Sequence, residues 1–175
     1  MMNARRILRK DERGIASIEF ALIASFLAFA FLNVCDVAVY LFDGMQVNNA
    51  TQMGAQAAFA ACDLNHLPAT TNCSGLSSAV TAAVGSTSLG SAVSERSGSP
   101  SEAYYCPTSG GALQNVGSVS SAKPADCSAA GEPSMKPGDY VLIQTTYTFT
   151  PLFPGASVGS LLPATITDSA EVRLG

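Results

Sequence analysis

From Ile15 to Phe42 the chain is almost continuously apolar, interrupted only by Ser17, Glu19, Ser25, Asn33 and Asp36 among strongly polar side chains. Phe20–Phe42 supplies 23 residues, enough for a bilayer core of about 30 Å at roughly 1.5 Å per helical residue. Its cleanest part is Phe20–Leu32; Asn33 and Asp36 make the far end polar, so that the helix either leaves the membrane there or packs against another helix. The helical pattern runs on through Asp43–Cys62. Met45, Val47, Ala50, Met53, Ala57 and Ala61 recur among Gln46, Asn48, Asn49, Gln52 and Gln56. Met45, Met53 and the alanines at 50, 57 and 61 are expected to share one side at helical spacing. The pattern predicts one helix over 14–61, with Gly44 and Gly54 as soft points, ended by the segment leading to Pro68, which disfavours helix at Leu67.

Beyond the helix the pattern changes. A short helix is expected over 77–84. Residues 94–138 are rich in Ser, Gly, Pro and Ala and read as loop. Tyr140–Thr150 alternates: Val141, Ile143, Thr145, Tyr147 and Phe149 on one face, and Tyr140, Leu142, Gln144, Thr146 and Thr148 on the other. Period two with β-branched and aromatic residues predicts a strand, broken by Pro151-Leu152-Phe153-Pro154-Gly155. A second strand fits 164–174, with Ile166, Ala170, Val172 and Leu174 facing inward. The fold class is therefore α+β: a long N-terminal helix, half in the membrane and half outside it, then a small domain, tied by disulfides, with a C-terminal antiparallel β-sheet. The corresponding division is a basic leader at 1–14, the helix at 15–62 and an outer domain at 63–175.

Composition and charge sharpen this division. Of nine basic residues, Arg5, Arg6, Arg9, Lys10 and Arg13 precede Gly14, against two of thirteen acidic ones; four basic and eleven acidic residues remain from Ile15 onward. A basic end before an apolar run places the N-terminus in the cytoplasm and the rest outside. The acidic remainder offers no basic groove for nucleic acid. The absence of Trp and the scarcity of aromatics imply a small aliphatic core outside the membrane. Cys62, Cys73, Cys106 and Cys127 form an even set in a compartment that permits disulfides. Three connectivities exist; Cys62–Cys73 with Cys106–Cys127 is favoured because both loops are short. No Cys-x-x-Cys pair occurs and His66 is the sole histidine, so neither a metal nor any other cofactor is implied. Cys35 reads as a small buried side chain.

The costly residue is Glu19. A charged side chain deep in a bilayer costs roughly 2.5–3.5 kcal/mol on insertion scales. It stands fifth after Gly14, counting Ile15 as first. A basic leader ending in Gly, followed by an apolar helix with Glu at its fifth residue, resembles a type IV prepilin. The resemblance implies cleavage between Gly14 and Ile15 by a membrane aspartic peptidase, and pairing of Glu19 with the N-terminal amine of a neighbouring subunit. A buried carboxylate is costly alone and tolerable when paired, so such a residue selects axial register.

The likeness extends further. Arg13-Gly14-Ile15-Ala16-Ser17-Ile18-Glu19-Phe20, then Asn48-Asn49-Ala50-Thr51, then Tyr147-Thr148-Phe149, Pro151-Leu152-Phe153-Pro154-Gly155 and Ala170-Glu171-Val172-Arg173 resemble the TadE-like family. Its members are pseudopilins of the tight-adherence (Flp, type IVb) pilus. The resemblance implies an inner-membrane protein with its C-terminal domain in the periplasm, with prepilin peptidase, other pseudopilins and pilin subunits, the inner-membrane assembly platform and membrane lipid as partners, and a role at the pilus base or tip in initiating or priming assembly; major pilins of these systems are much shorter than 175 residues, which argues for a minor subunit. Phe20 stands where major pilins often have Tyr. Three other readings compete. An unprocessed membrane-anchored envelope protein would keep its leader. An enzyme would have to lean on His66, which lies in a Pro-bounded loop. A lipoprotein would need a smaller residue than Val34 before Cys35.

Overall fold

The computed structural model describes residues 12–62 and 64–175, with Glu12–Gly14 as helical backbone only. The expected leader therefore lies outside the described residues as far as residue 11. Helix α1 runs Glu12–Ala61, α2 Ala69–Asn72 and α3 Leu76–Val84; strands follow at β1 Val93–Glu95, β2 Ser101–Pro107, β3 Leu113–Ser118, β4 Gly138–Thr148 and β5 Thr165–Arg173. The architecture is α+β: a long N-terminal helix followed by a small domain with an antiparallel sheet and two disulfides. The chain divides into two compact units. One comprises residues up to Leu41 together with Thr150–Pro163; the other comprises Phe42–Phe149 and Ala164–Gly175.

In the second unit β4 is the central strand. β5 pairs with it from Tyr140↔Arg173 to Thr148↔Thr165. Its other edge is shared: β2 takes the beginning, Ser101↔Leu142 to Tyr105↔Gly138, and β1 takes the end, Val93↔Tyr147 to Glu95↔Thr145. β3 pairs with β2 across a register shift at Tyr104/Tyr105. All pairings are antiparallel. Three strands thus occupy the segment 94–138 that composition presents as loop. Their own side chains carry little signal. β3 contains no buried residue, and in β2 only Tyr104 and Cys106 are buried. Pairing, of β1 and β2 with β4 and of β3 with β2, rather than intrinsic propensity, makes them strands.

The core lies between the sheet, α3 and the second half of α1. Val141 and Ile143 of β4 are buried, as are Leu76, Val80 and Val84 of α3. On the second half of α1 the buried positions are Asp43, Val47, Ala50, Thr51, Gly54, Ala55 and Ala58, continued by Cys62 just past its end, an i, i+4, i+7, i+8 stripe. This corrects the expected face: of its members Ala50 is buried and Ala57 half-buried, while Met45, Met53 and Ala61 are exposed. The stripe consists of small residues because the helix lies close on its neighbours. A Cβ on Gly54 would come 3.0 Å from Val84 Cγ2 and 3.2 Å from Ile143 Cγ2. Gly54 is thus a close-packing position rather than a soft point, and α1 continues unbroken through it. Cys62–Cys73 ties the end of α1 to the end of α2, and Cys106–Cys127 ties β2 to the segment before β4.

Candidate functional site

The first half of α1 is dressed in apolar side chains that nothing among the described residues covers. Ile15, Ile18, Phe20, Leu22, Ile23, Phe26, Leu27, Phe29 and Phe31 are all exposed. At 100° per residue these bulky groups cover about two-thirds of the circumference, and Ala21, Ala24, Ala28, Ser17 and Ser25 occupy most of the rest. A helix apolar all round is a membrane span or the core of a larger assembly. By length and composition α1 qualifies to cross a membrane. The serine in this stretch that breaks the apolar run at Ser25 returns its hydroxyl to Ala21 O, 2.7 Å away, which removes a donor from the apolar surroundings. Glu19 and Phe20 are both exposed on this helix, and Ile15 opens its described side chains.

Two turns later the polar residues acquire partners from far along the sequence. Asp36 is fully buried. Its carboxylate accepts from Leu152 N–H at 2.7 Å, Phe153 N–H at 3.3 Å and the Ser157 hydroxyl. Asn33 donates its side-chain amide to Phe29 O at 2.7 Å and accepts from Val158 N–H at 2.7 Å. A buried carboxylate must be satisfied in this way or shed its charge. Gly159 is there because nothing larger fits: a Cβ would lie 2.7 Å from Asp36 Oδ2. The polar end of the apolar run therefore holds a loop, residues 150–163, rather than another helix. The Pro-Leu-Phe-Pro-Gly segment is the loop's contact with Asp36, a role that periodicity does not reveal because the partners stand 116 or more residues apart. Cys35, beside Asp36, is a free, half-buried thiol.

The Asn48-Asn49-Ala50-Thr51 segment meets the sheet. Asn48 Nδ2 donates to Asp168 Oδ2 of β5 at 2.7 Å. Ala50 is buried without remainder. The buried hydroxyls of Thr51 and Thr145 stand 2.6 Å apart, and Thr51 Oγ1 donates to Val47 O at 2.8 Å. Each hydroxyl has a single proton, so Thr145 is the donor between them. One turn earlier, buried Asp43 hydrogen-bonds Tyr147; burial, then the nearby Asp43 charge and bond, push the tyrosine's pKa up. The motif thus fixes α1 to the two longest strands.

A third polar cluster surrounds Glu102 of β2. Its carboxylate accepts from Ala69 N–H at 2.8 Å, Thr70 N–H at 2.7 Å and Thr70 Oγ1 at 2.6 Å, capping α2. Asp139 of β4 is buried beside it, and its Oδ1 has no hydrogen-bond partner among the described residues. Burial, followed by the Glu102 charge and hydrogen bond, pushes Asp139 up to about 7, with Lys123 opposing. His66 lies exposed in a single 3-10 turn, Leu64–His66, just before α2.

The model of the TadE-like protein family matches residues 14–56. The match begins at Gly14, takes in Glu19 and Phe20, and ends after the Asn48–Thr51 contact. It bears out the resemblance over that stretch and suggests a protein associated with tight-adherence pili and their components, a group that is not typically enzymatic. No curated protein and no solved structure matches the chain.

Proposed function

We propose that this chain is a minor pseudopilin of a tight-adherence (Flp) type IVb pilus, cleaved after Gly14 by prepilin peptidase and acting in pilus assembly or priming. The observation that carries the reading is the uncovered apolar first half of α1, with Glu19 five residues into a family match that opens at Gly14. In the membrane, lipid covers this surface. After cleavage the same surface suits a helical bundle, because a face of small side chains lies beside a broad bulky one and the two can interlock with neighbouring helices.

Cleavage removes the basic leader at 1–14 and frees the Ile15 α-amine. Glu19, desolvated in a bundle, pairs with that amine on a neighbouring subunit and fixes the axial register. Residues 63–175 form the periplasmic portion, with the N-terminus on the cytoplasmic side of the inner membrane before processing. The other pseudopilins, pilin subunits and the inner-membrane platform are the partners of this cycle.

Intact-mass measurement on protein purified from cells that make the peptidase tests the processing: the expected chain begins at Ile15. A chain retaining its leader would replace this reading with that of a simple membrane-anchored envelope protein. For Glu19→Ala, membrane insertion persists while piliation, counted by electron microscopy, falls at least about tenfold, the effect of losing a buried charged partner worth 1.4 kcal/mol or more.

A further inference from the structure

The loop at 150–163 is unusual in what it shows to solvent. It contains no charged residue, and none occurs anywhere over 140–167. Leu161 is 84% exposed, Leu152 56% and Val158 41%. Leu161 is the most exposed large apolar side chain among the described residues. The loop does not turn these groups inward. It spends its backbone N–H groups and Ser157 on Asp36 and Asn33 instead, which fixes it against α1 with its leucines facing out.

The height of this attachment along α1 decides what covers it. From Ile15 to Asn33 is 18 residues and to Asp36 is 21, or roughly 27–32 Å of helix, one hydrocarbon thickness. A span entering at Ile15 therefore leaves the acyl region where the loop is clasped. The same turns carry a mostly apolar groove lined by Asn33, Val34, Val37, Ala38 and Leu41, so uncovered apolar surface continues from the span into this level.

We infer that the 150–163 loop is a membrane-interface collar, with Leu152, Val158 and Leu161 inserted at the outer boundary between headgroups and acyl chains. This rests on the membrane-spanning reading of α1 proposed above. Lipid is the occupant because uncharged, short apolar tips held at the depth of that boundary match the interfacial mode of insertion. Asp36 performs a second task in this arrangement: it offers the loop's buried amides an acceptor at a depth where water is scarce.

The absence of Trp from the chain permits a direct test on the full-length protein. Leu161→Trp, Leu152→Trp, Phe29→Trp and Leu64→Trp are each reconstituted in vesicles of phosphatidylcholine and phosphatidylglycerol. The phosphatidylcholine is brominated near the headgroup end of the acyl chain or near its middle. All four positions are largely exposed, so the substitutions leave the fold intact. Leu161→Trp and Leu152→Trp are expected to give blue-shifted emission, quenched at least about twofold more by shallow than by deep bromine. Phe29→Trp gives the reverse order, and Leu64→Trp is not quenched. Water-like, unquenched emission at 152 and 161 with Phe29→Trp still quenched overturns the collar and leaves the span standing. Blue-shifted emission that ignores bromine and follows the protein-to-lipid ratio assigns the surface to a second copy of the chain and likewise overturns it. Failure of Phe29→Trp to be quenched removes the span itself.

Discussion

Thr51 and Thr145 share two protons and three acceptors, and the direction of the bonds makes them unequal. Thr51 gives its proton to Val47 O and receives that of Thr145. Thr51→Val therefore strands a buried hydroxyl on β4 and costs about 1–3 kcal/mol, whereas Thr145→Val leaves Thr51 bonded to Val47 and costs under about 1 kcal/mol. The double variant is expected to resemble Thr145→Val, so denaturant unfolding of the four proteins should show strong non-additivity. Asp139 yields a second prediction. Its folded pKa, about 7, lies above the ordinary aspartate value. The folded state thus binds its proton more tightly than the unfolded state does. Stability from this group is complete below about pH 4, declines as pH rises to about 7, and is flat above. Asp139→Asn, which stays neutral, removes that slope and raises stability at pH 8 by on the order of 1–3 kcal/mol. Thermal melts of both proteins from pH 4 to pH 8 check it; a wild-type midpoint that rises over this range in proportion to Asp139 would contradict it.

At the level of elements, α1 makes a different use of its length on either side of Phe42. Its first half shows large apolar groups outward, and its second half buries small ones under β4 and α3. The helix, α3 and the two long strands were legible because each carries its own period: 3.6 along α1 and 2 along β4 and β5. Val141, Ile143 and Thr145 are buried as alternation requires. Which face of the second half of α1 is inward was not legible. Hydrophobicity favours the methionines, while packing distance favours Ala50, Gly54 and Ala58, and distance wins where a helix lies on a sheet. β1, β2 and β3 were hidden because their partners, not their residues, define them. The clasp at Asp36 was half legible: a polar residue at the end of an apolar run announces a partner, but not one from 152–157. Asp36→Ala removes three acceptor contacts. Hydrogen exchange at the Leu152 and Phe153 amides is expected to accelerate at least about tenfold, since bonds to a charged group contribute roughly 1.5–3 kcal/mol each. Exchange unchanged from wild type would show that the loop is held by something else.

For the molecule as a whole, the second unit is stapled as well as packed. Cys106 and Cys127 are 21 residues apart with Cα atoms separated by 5.6 Å; Cys62 and Cys73 are 11 apart at 5.9 Å, both within ordinary disulfide reach. Each bridge joins neighbours in sequence, where loop closure is easiest. Replacing Cys106 and Cys127 together by Ala is expected to lower unfolding free energy by about 2–4 kcal/mol, measured by denaturant titration under oxidising conditions. A core with so few aromatics depends on such closures more than a larger one would.

The partners of Asp36 are spoken for only late in the chain's synthesis. A protein exported from its N-terminal end presents Asp36 first, and Leu152, Phe153 and Ser157 more than a hundred residues afterwards. Through that interval the helix carries an uncovered carboxylate at the edge of its apolar run, which disfavours settling any deeper. The clasp is therefore a late contact: only a chain made as far as Ser157 can cover the Asp36 carboxylate fully, and one that stops before Leu152 leaves it without any of these three contacts.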